Sequence, residues 1–264
     1  MTDIRKTDSS NRGMEYFRFG TAGKQPVVIV PGLSFTGVMG SADAIIQEYD
    51  VLKNDFDVYV IDVRKELPEE HTVRDLADDY ARAIKKIGLE RVLLFGASMG
   101  GMICQQLMID YPDLIIGCAL GATSCHPGHT VTANWAELAQ TGTSEQLVQA
   151  FAESVYSPEF ASGNKELISS MAQALTPSDL YRFAILAKAA AGFDCSDSLV
   201  SVKCPCRVFA GGRDRIFPPE HARLLAEKLD CNLIIYENYG HAFYDECPDF
   251  HPQLRDFFLT AVNK

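Results

Sequence analysis

The chain has 264 residues, enough for one large domain or two small ones at roughly 150 residues per domain. With 47% hydrophobic residues and a mean hydropathy near zero, it falls outside the disordered, collagen-like and low-complexity classes. Acidic residues outnumber basic ones by 35 to 24, and the resulting charge of −11 would repel a phosphate backbone or an anionic leaflet, so neither nucleic acid nor a membrane is an expected partner.

The first residues, Met1 to Asn11, are polar and lack the apolar middle of a secretory signal, and no apolar run reaches the ~18 residues of a spanning helix. A cytoplasmic location is expected. Val27 to Val30, Val58 to Ile61 and Val92 to Phe95 are continuous apolar runs of strand length, the pattern of central parallel strands buried on both faces. Between the second and third, Thr72 to Ile87 spaces Val73, Leu76, Ala77, Tyr80, Ala83, Ile84 and Ile87 as one face of a helix, with Gly88 as its C-cap.

Further on, Leu114 to Leu120, Arg207 to Ala210 and Leu233 to Tyr236 read as three more strands. Helices are predicted at Met99 to Asp110, Pro219 to Leu229 and Pro252 to Val262. This is an α/β chain with a doubly wound, mostly parallel sheet. The interval from about Ser124 to Leu199 is too long for one loop. It is predicted as a cap of about four helices at Val131 to Ala139, Glu145 to Tyr156, Lys165 to Ala174 and Ser178 to Ala190, with Ser144 and Pro177 as start signals for the second and fourth. The expected division is a core of residues 1–123 and 200–264 and a cap of residues 124–199. The eight cysteines, several inside apolar runs, read as reduced core thiols.

After the third strand stands Gly96-Ala97-Ser98-Met99-Gly100, a G-x-S-x-G directly before a helix pattern. The pentapeptide alone is a weak signal; its placement at a strand-to-helix elbow strengthens it. A serine hydroxyl is a poor nucleophile at neutral pH and requires a histidine base oriented by a carboxylate. Asp214 follows the strand-like Val208-Phe209-Ala210, and His241 follows the strand ending at Tyr236, so all three groups fall beyond the carboxyl ends of parallel strands, where such sheets place their chemistry. The competing reading of Ser98 is an ordinary tight turn. Asp194 and Asp197 are rival carboxylates, and His71, His221 and His251 read as solvated surface residues. His126-Pro127-Gly128-His129 has no preset ligand geometry, and no metal is expected.

These residues, with Val30-Pro31-Gly32-Leu33, Ile61-Asp62-Val63-Arg64, Tyr111-Pro112 and Gly240-His241, resemble the α/β-hydrolase superfamily from about Glu15 to Val262. The resemblance implies Ser98 as nucleophile, His241 as general base and then acid, Asp214 as the carboxylate orienting His241, and the N–H groups of Leu33 and Met99 as the oxyanion hole. Nothing in the sequence suggests an organic cofactor, and none is expected. Members usually carry His-Gly where this chain has Pro31-Gly32, and Asp-x-Arg-Gly-His where it has Asp62-Val63-Arg64-Lys65-Glu66. Ser34, Phe35 and Met39, just past the oxyanion donor, are candidates for the substrate pocket, with Trp135 from the cap's aromatic residues. The expected function is hydrolysis of a small, largely apolar carboxylic ester, thioester or lactone through an acyl-enzyme. The alternatives are carbon–carbon cleavage, lyase or perhydrolase chemistry on the same fold, or a ligand-binding receptor or scaffold with a slow or vestigial triad. The oligomeric state is left open.

Overall fold

Successive residues of the apolar strand runs point to opposite faces, and both faces are buried. Val28, Val30, Tyr59, Ile61 and Leu94 join one core cluster, while Val27, Ile29, Val58, Val60, Leu93 and Phe95 join the other. That burial is why these strands read as unbroken apolar runs rather than alternating ones. The computed structural model describes residues 2–7, 13–126 and 130–263.

Among the described residues, one eight-stranded sheet runs in the order β1-β2-β4-β3-β5-β6-β7-β8. Its strands are β1 Arg5–Lys6, β2 Glu15–Gly20, β3 Pro26–Val30, β4 Asp57–Ile61, β5 Val92–Ala97, β6 Ile115–Gly121, β7 Cys206–Gly211 and β8 Asn232–Tyr236. β1 and β2 are antiparallel additions at one edge, and β2 pairs antiparallel with β4. From β4 to β8 every pairing is parallel. Sequence reading missed the edge pair because Tyr16, Arg18 and Phe19 are only partly buried and the run is mixed in polarity.

The helices are α1 Ala42–Glu48, α2 Val73–Ile87, α3 Met99–Asp110, α4 Thr130–Thr141, α5 Ser144–Val155, α6 Pro158–Gly163, α7 Lys165–Ala174, α8 Pro177–Ala191, α9 Pro219–Lys228, α10 Phe243–Glu246 and α11 Phe250–Val262. Residues of α2, α3 and α9 bury against the first cluster, and those of α11 against the second. In α2, Thr72 and Asp75 cap each other's backbone N–H groups reciprocally, and Gly88 closes the helix at φ +90°.

Five helices, α4 to α8, stand between β6 and β7, where four were predicted; α6, a single short turn capped by Ser157, carries no periodicity long enough to read. Ser144 and Pro177 are the first helical residues, but the capping is done one position earlier by Thr143 and Thr176, whose side chains accept the N–H of Gln146 and Asp179. Leu114 belongs to a 3-10 turn before β6 rather than to the strand. No helix among the described residues is long and apolar enough to cross a membrane.

Candidate active site

The turn from β5 into α3 is forced by the closeness of its neighbours. A Cβ on Gly96 would lie 2.3 Å from the Gly100 carbonyl oxygen, and one on Gly100 would lie 2.0 Å from that of Val30, so both positions admit only glycine. Between them Ser98 is held at φ 55° and ψ −123°, a backbone strain of order 1–3 kcal/mol that the surrounding structure sustains. Its N–H donates to Gly121 O at 2.9 Å, and Thr123 Oγ1 donates to its carbonyl at 2.8 Å. The end of β6 and the Thr123 side chain just beyond it thus fix both the N–H and the carbonyl of Ser98.

Asp214 and His241 come from the loops after β7 and β8, which are packed on one another. A Cβ on Gly211 would sit 2.0 Å from Gly240 O, and Arg213 N–H donates to Tyr239 O at 2.9 Å. His241 Nδ1 and Asp214 Oδ2 are 2.8 Å apart, and the two residues are 2% and 5% exposed. The second oxygen, Asp214 Oδ1, accepts the N–H groups of Ile216 and Phe217 at 2.8 and 2.9 Å. With Oδ1 taken by two amide donors, Oδ2 accepts from an Nδ1–H, which leaves Nε2 as the ring nitrogen with a free lone pair. Phe217 and Tyr244 flank the imidazole, with ring centroids 5.5 and 6.4 Å away. Among the described residues, Ser98 Oγ makes no hydrogen bond to His241 Nε2; such contacts are commonly long until a substrate occupies the site.

The loop after β3 passes directly over the serine: a Cβ on Gly32 would lie 3.3 Å from Ser98 Cβ. Leu33 follows, and neither its N–H nor that of Met99, at the first position of α3, has an acceptor among the described residues. Pro31 removes neither N–H, because both are main-chain groups of other residues. Two amides without an acceptor thus stand next in sequence to Gly32 and Ser98, where the loop after β3 meets the elbow.

The pocket candidates separate in space. Phe35 is buried at the seam with the insertion, stacked on Phe183 with centroids 4.5 Å apart and tilted against Phe151 at 4.9 Å; Trp135, also buried, meets Phe151 at 4.8 Å. Ser34 is partly exposed beside them. Met39 packs into the cluster on the opposite sheet face, with Ile45 and Tyr49, because the chain enters a 3-10 turn at that residue. Asp194 bonds Ser196 within its own turn, and Asp197 is fully exposed.

The three histidines read as solvated are not so. His71 is buried with Nε2 2.9 Å from Asp79; His221 Nδ1 lies 2.9 Å from Ser124 Oγ with its ring stacked on His126; His251 has a buried Nε2 without a hydrogen-bond partner. Each sits where helix ends pack down on the core, which polar sequence neighbours do not reveal. Residues 127–129, and so all but the first residue of the His-Pro-Gly-His segment, lie outside the described residues. The amides of Ile216 and Phe217 that clasp Asp214 left no sequence signal, since any residue type supplies a backbone N–H.

A sheet in this order, covered by helices on both faces and carrying a serine at its sharpest turn, is the architecture of the α/β-hydrolases. The chain belongs to the Alpha/beta hydrolase family, whose profile matches residues 27–250. It is 25% identical over 241 residues to the protein named "Putative carbamate hydrolase RutD" of Caulobacter sp. (strain K31), covering 86% of this chain and 87% of that one. It is 26% identical over 224 residues to the 2-hydroxy-6-oxo-6-phenylhexa-2,4-dienoate hydrolase of Comamonas testosteroni, covering 77% and 73%. The crystal structure of the enol-lactonase from Burkholderia xenovorans LB400 superposes with a TM-score of 0.81 at 20% identity, over 93% of this chain and 97% of the other. With relatives named for hydrolysis and a shared fold, the chain is a hydrolase of the α/β type.

Proposed function

We propose that the protein is a serine hydrolase that cleaves a small, largely apolar carboxylic ester, thioester or lactone through an acyl-enzyme. The observation that carries this reading is the buried Asp214–His241 pair, 2.8 Å apart, at the same sheet edge as the strained Ser98 elbow. Ser98 Oγ attacks the carbonyl carbon while its proton passes to His241 Nε2, and the charge on the carbonyl oxygen is met by the N–H groups of Leu33 and Met99. As the tetrahedral intermediate collapses, the proton on Nε2 goes to the departing alcohol or thiol. Water then attacks the acyl-serine, giving up its proton to His241, and the acid leaves with Ser98 restored. Losing either oxyanion donor would cost about 3–4 kcal/mol of transition-state stabilisation.

Five helices over the sheet edge, with Phe35 clasped by Phe151 and Phe183, support a small substrate over a polymer. Hydrolysis of short-chain p-nitrophenyl esters, abolished in a folded Ser98→Ala variant, together with a fluorophosphonate adduct on Ser98, tests the reading. High-affinity ligand binding without turnover in either protein would instead identify a receptor.

A second reading draws on the Comamonas testosteroni relative, whose named substrate has no ester, so that its hydrolysis must break a carbon–carbon bond beside the ketone. The same Ser98, His241 and amide donors would serve it. Turnover of a vinylogous diketone at a kcat/KM well above that for the p-nitrophenyl esters would favour this reading over ester cleavage.

A further inference from the structure

Beyond the three catalytic side chains, the loop bearing Leu33 needs something to hold it, because residues 31–38 belong to no strand and cross the serine with few backbone hydrogen bonds of their own. The holder is a single buried carboxylate at the end of β4. Asp62 Oδ2 accepts the Val38 N–H at 2.8 Å, and Oδ1 accepts the Val63 N–H at 2.8 Å. Gly37 makes room for it: at φ +84°, a Cβ there would lie 2.2 Å from Asp62 Oδ2. The glycine and the carboxylate therefore set the far end of the loop as a unit.

The same carboxylate is reached from the insertion. Arg182, on α8, places Nη2 3.8 Å from Asp62 Oδ1 and donates from it to Val63 O at 3.2 Å; the two side chains are 11% and 10% exposed. Its neighbour Phe183 stacks on Phe35 in the middle of the loop. Adjacent residues of one helix thus bear on the loop twice, Phe183 directly at its centre and Arg182 through Asp62 at its end. The guanidinium gives up much to be there, since its Nε and Nη1 are buried with no hydrogen-bond partner. Burial pushes the Asp62 carboxyl upward, opposed by Arg182 and the two backbone donors, so removing the arginine would leave a buried carboxylate with less compensation.

We propose that Asp62, held by Arg182 of the insertion, is the positioning residue for the loop that carries the Leu33 oxyanion donor, so that the seating of α8 sets the geometry of the oxyanion hole. The proposal rests on the serine-hydrolase reading. It gives the insertion a part in catalysis besides enclosing the substrate: when α8 shifts, the Leu33 N–H shifts with it, whereas Met99, fixed in α3, does not. A displacement of about 1 Å of a catalytic group is enough to lower a rate ~100-fold.

The test uses Asp62→Asn, Arg182→Met and Arg182→Lys in the full chain, with melting temperature as the check of folding. Substrate turnover is read with p-nitrophenyl butyrate. Oxyanion stabilisation is read as the affinity ratio of an alkyl trifluoromethyl ketone, which captures Ser98 as a tetrahedral adduct, to the matching methyl ketone. The expected result is a kcat about 10- to 100-fold lower in Asp62→Asn and Arg182→Met, a KM within about threefold of wild type, a ketone ratio reduced by the same factor, and partial recovery in Arg182→Lys. A kcat within twofold of wild type, a raised KM with kcat intact, or an unchanged ketone ratio overturns the proposal. Should Asp62→Asn not fold, Arg182→Met decides by the same criteria, and Arg182→Lys after it, with a smaller loss of the same pattern expected. Full turnover in Ser98→Ala would remove the serine-nucleophile reading itself. An inactive Ser98→Ala beside normal Asp62 and Arg182 variants removes only the positioning role.

Discussion

Replacing Asp214 with asparagine changes one oxygen to NH2 and, by the hydrogen-bond geometry, reverses the chemistry of His241. The carboxylate accepts three hydrogen bonds: from the amides of Ile216 and Phe217 on Oδ1 and from the imidazole on Oδ2. Asparagine has only one acceptor atom. Turning its NH2 toward the two backbone donors would leave both amides unsatisfied in a buried turn, at about 1–3 kcal/mol each, so its oxygen takes the place of Oδ1 and its NH2 faces the ring. Nδ1 must then accept, the proton moves to Nε2, and the nitrogen that the proposed mechanism uses to take the Ser98 proton is no longer a base. The expected loss in kcat is about 10⁴-fold, equivalent to ~5.5 kcal/mol, with KM little changed and with the melting temperature within a few degrees of wild type. Initial rates of p-nitrophenyl butyrate hydrolysis with a parallel thermal melt measure both. An Asp214→Asn protein that folds normally and keeps more than a tenth of wild-type kcat would show that this aspartate does not orient the base.

Three further outcomes are expected. Ser98 carries its strain in a conformation that any Cβ resists, so Ser98→Gly should be more stable than Ser98→Ala by about 1 kcal/mol in urea unfolding although both are inactive; equal stabilities would deny the strain. Gly100→Ala drives a methyl group to 2.0 Å from Val30 O and 2.7 Å from Pro31 O, both backbone atoms, and should lower the melting temperature by ten degrees or more; a change under two degrees would contradict the close approach. Burial lowers His251 from 6.5 to about 4, so the unfolded chain binds its proton more readily than the folded one, and the stability held at neutral pH is lost as pH falls from about 6.5 to 4. Wild type should therefore lose about 2 kcal/mol more than His251→Gln between pH 7 and pH 5, and parallel losses in denaturant titrations at the two pH values would refute it. The comparison with the variant is needed because burial raises Glu48 to about 6, which stabilises the folded chain toward acid and opposes the histidine.

Much of this molecule is legible in its residues because the strongest constraints are local or periodic. Strands buried on both faces must be apolar throughout, as Val27 to Val30 and Val92 to Phe95 are, and a turn in which α3 crosses within contact of β3 must use glycine at positions 96 and 100. Chain order and strand ends were enough to bring Ser98, Asp214 and His241 to one edge as candidates. What the sequence could not carry is whatever depends on which surfaces meet. Backbone donors such as Ile216 and Phe217 have no residue signature, the Asp79 partner of His71 and the Tyr49 ring set edge-on to His251 come from how segments pack, and Met39 lies on the opposite face because a 3-10 turn begins there. Arg182 and Asp62 are 120 residues apart along the chain, and only the docking of α8 against the end of β4 makes them neighbours. Pattern along a chain records what each segment must bury; tertiary contact alone decides what it is buried against.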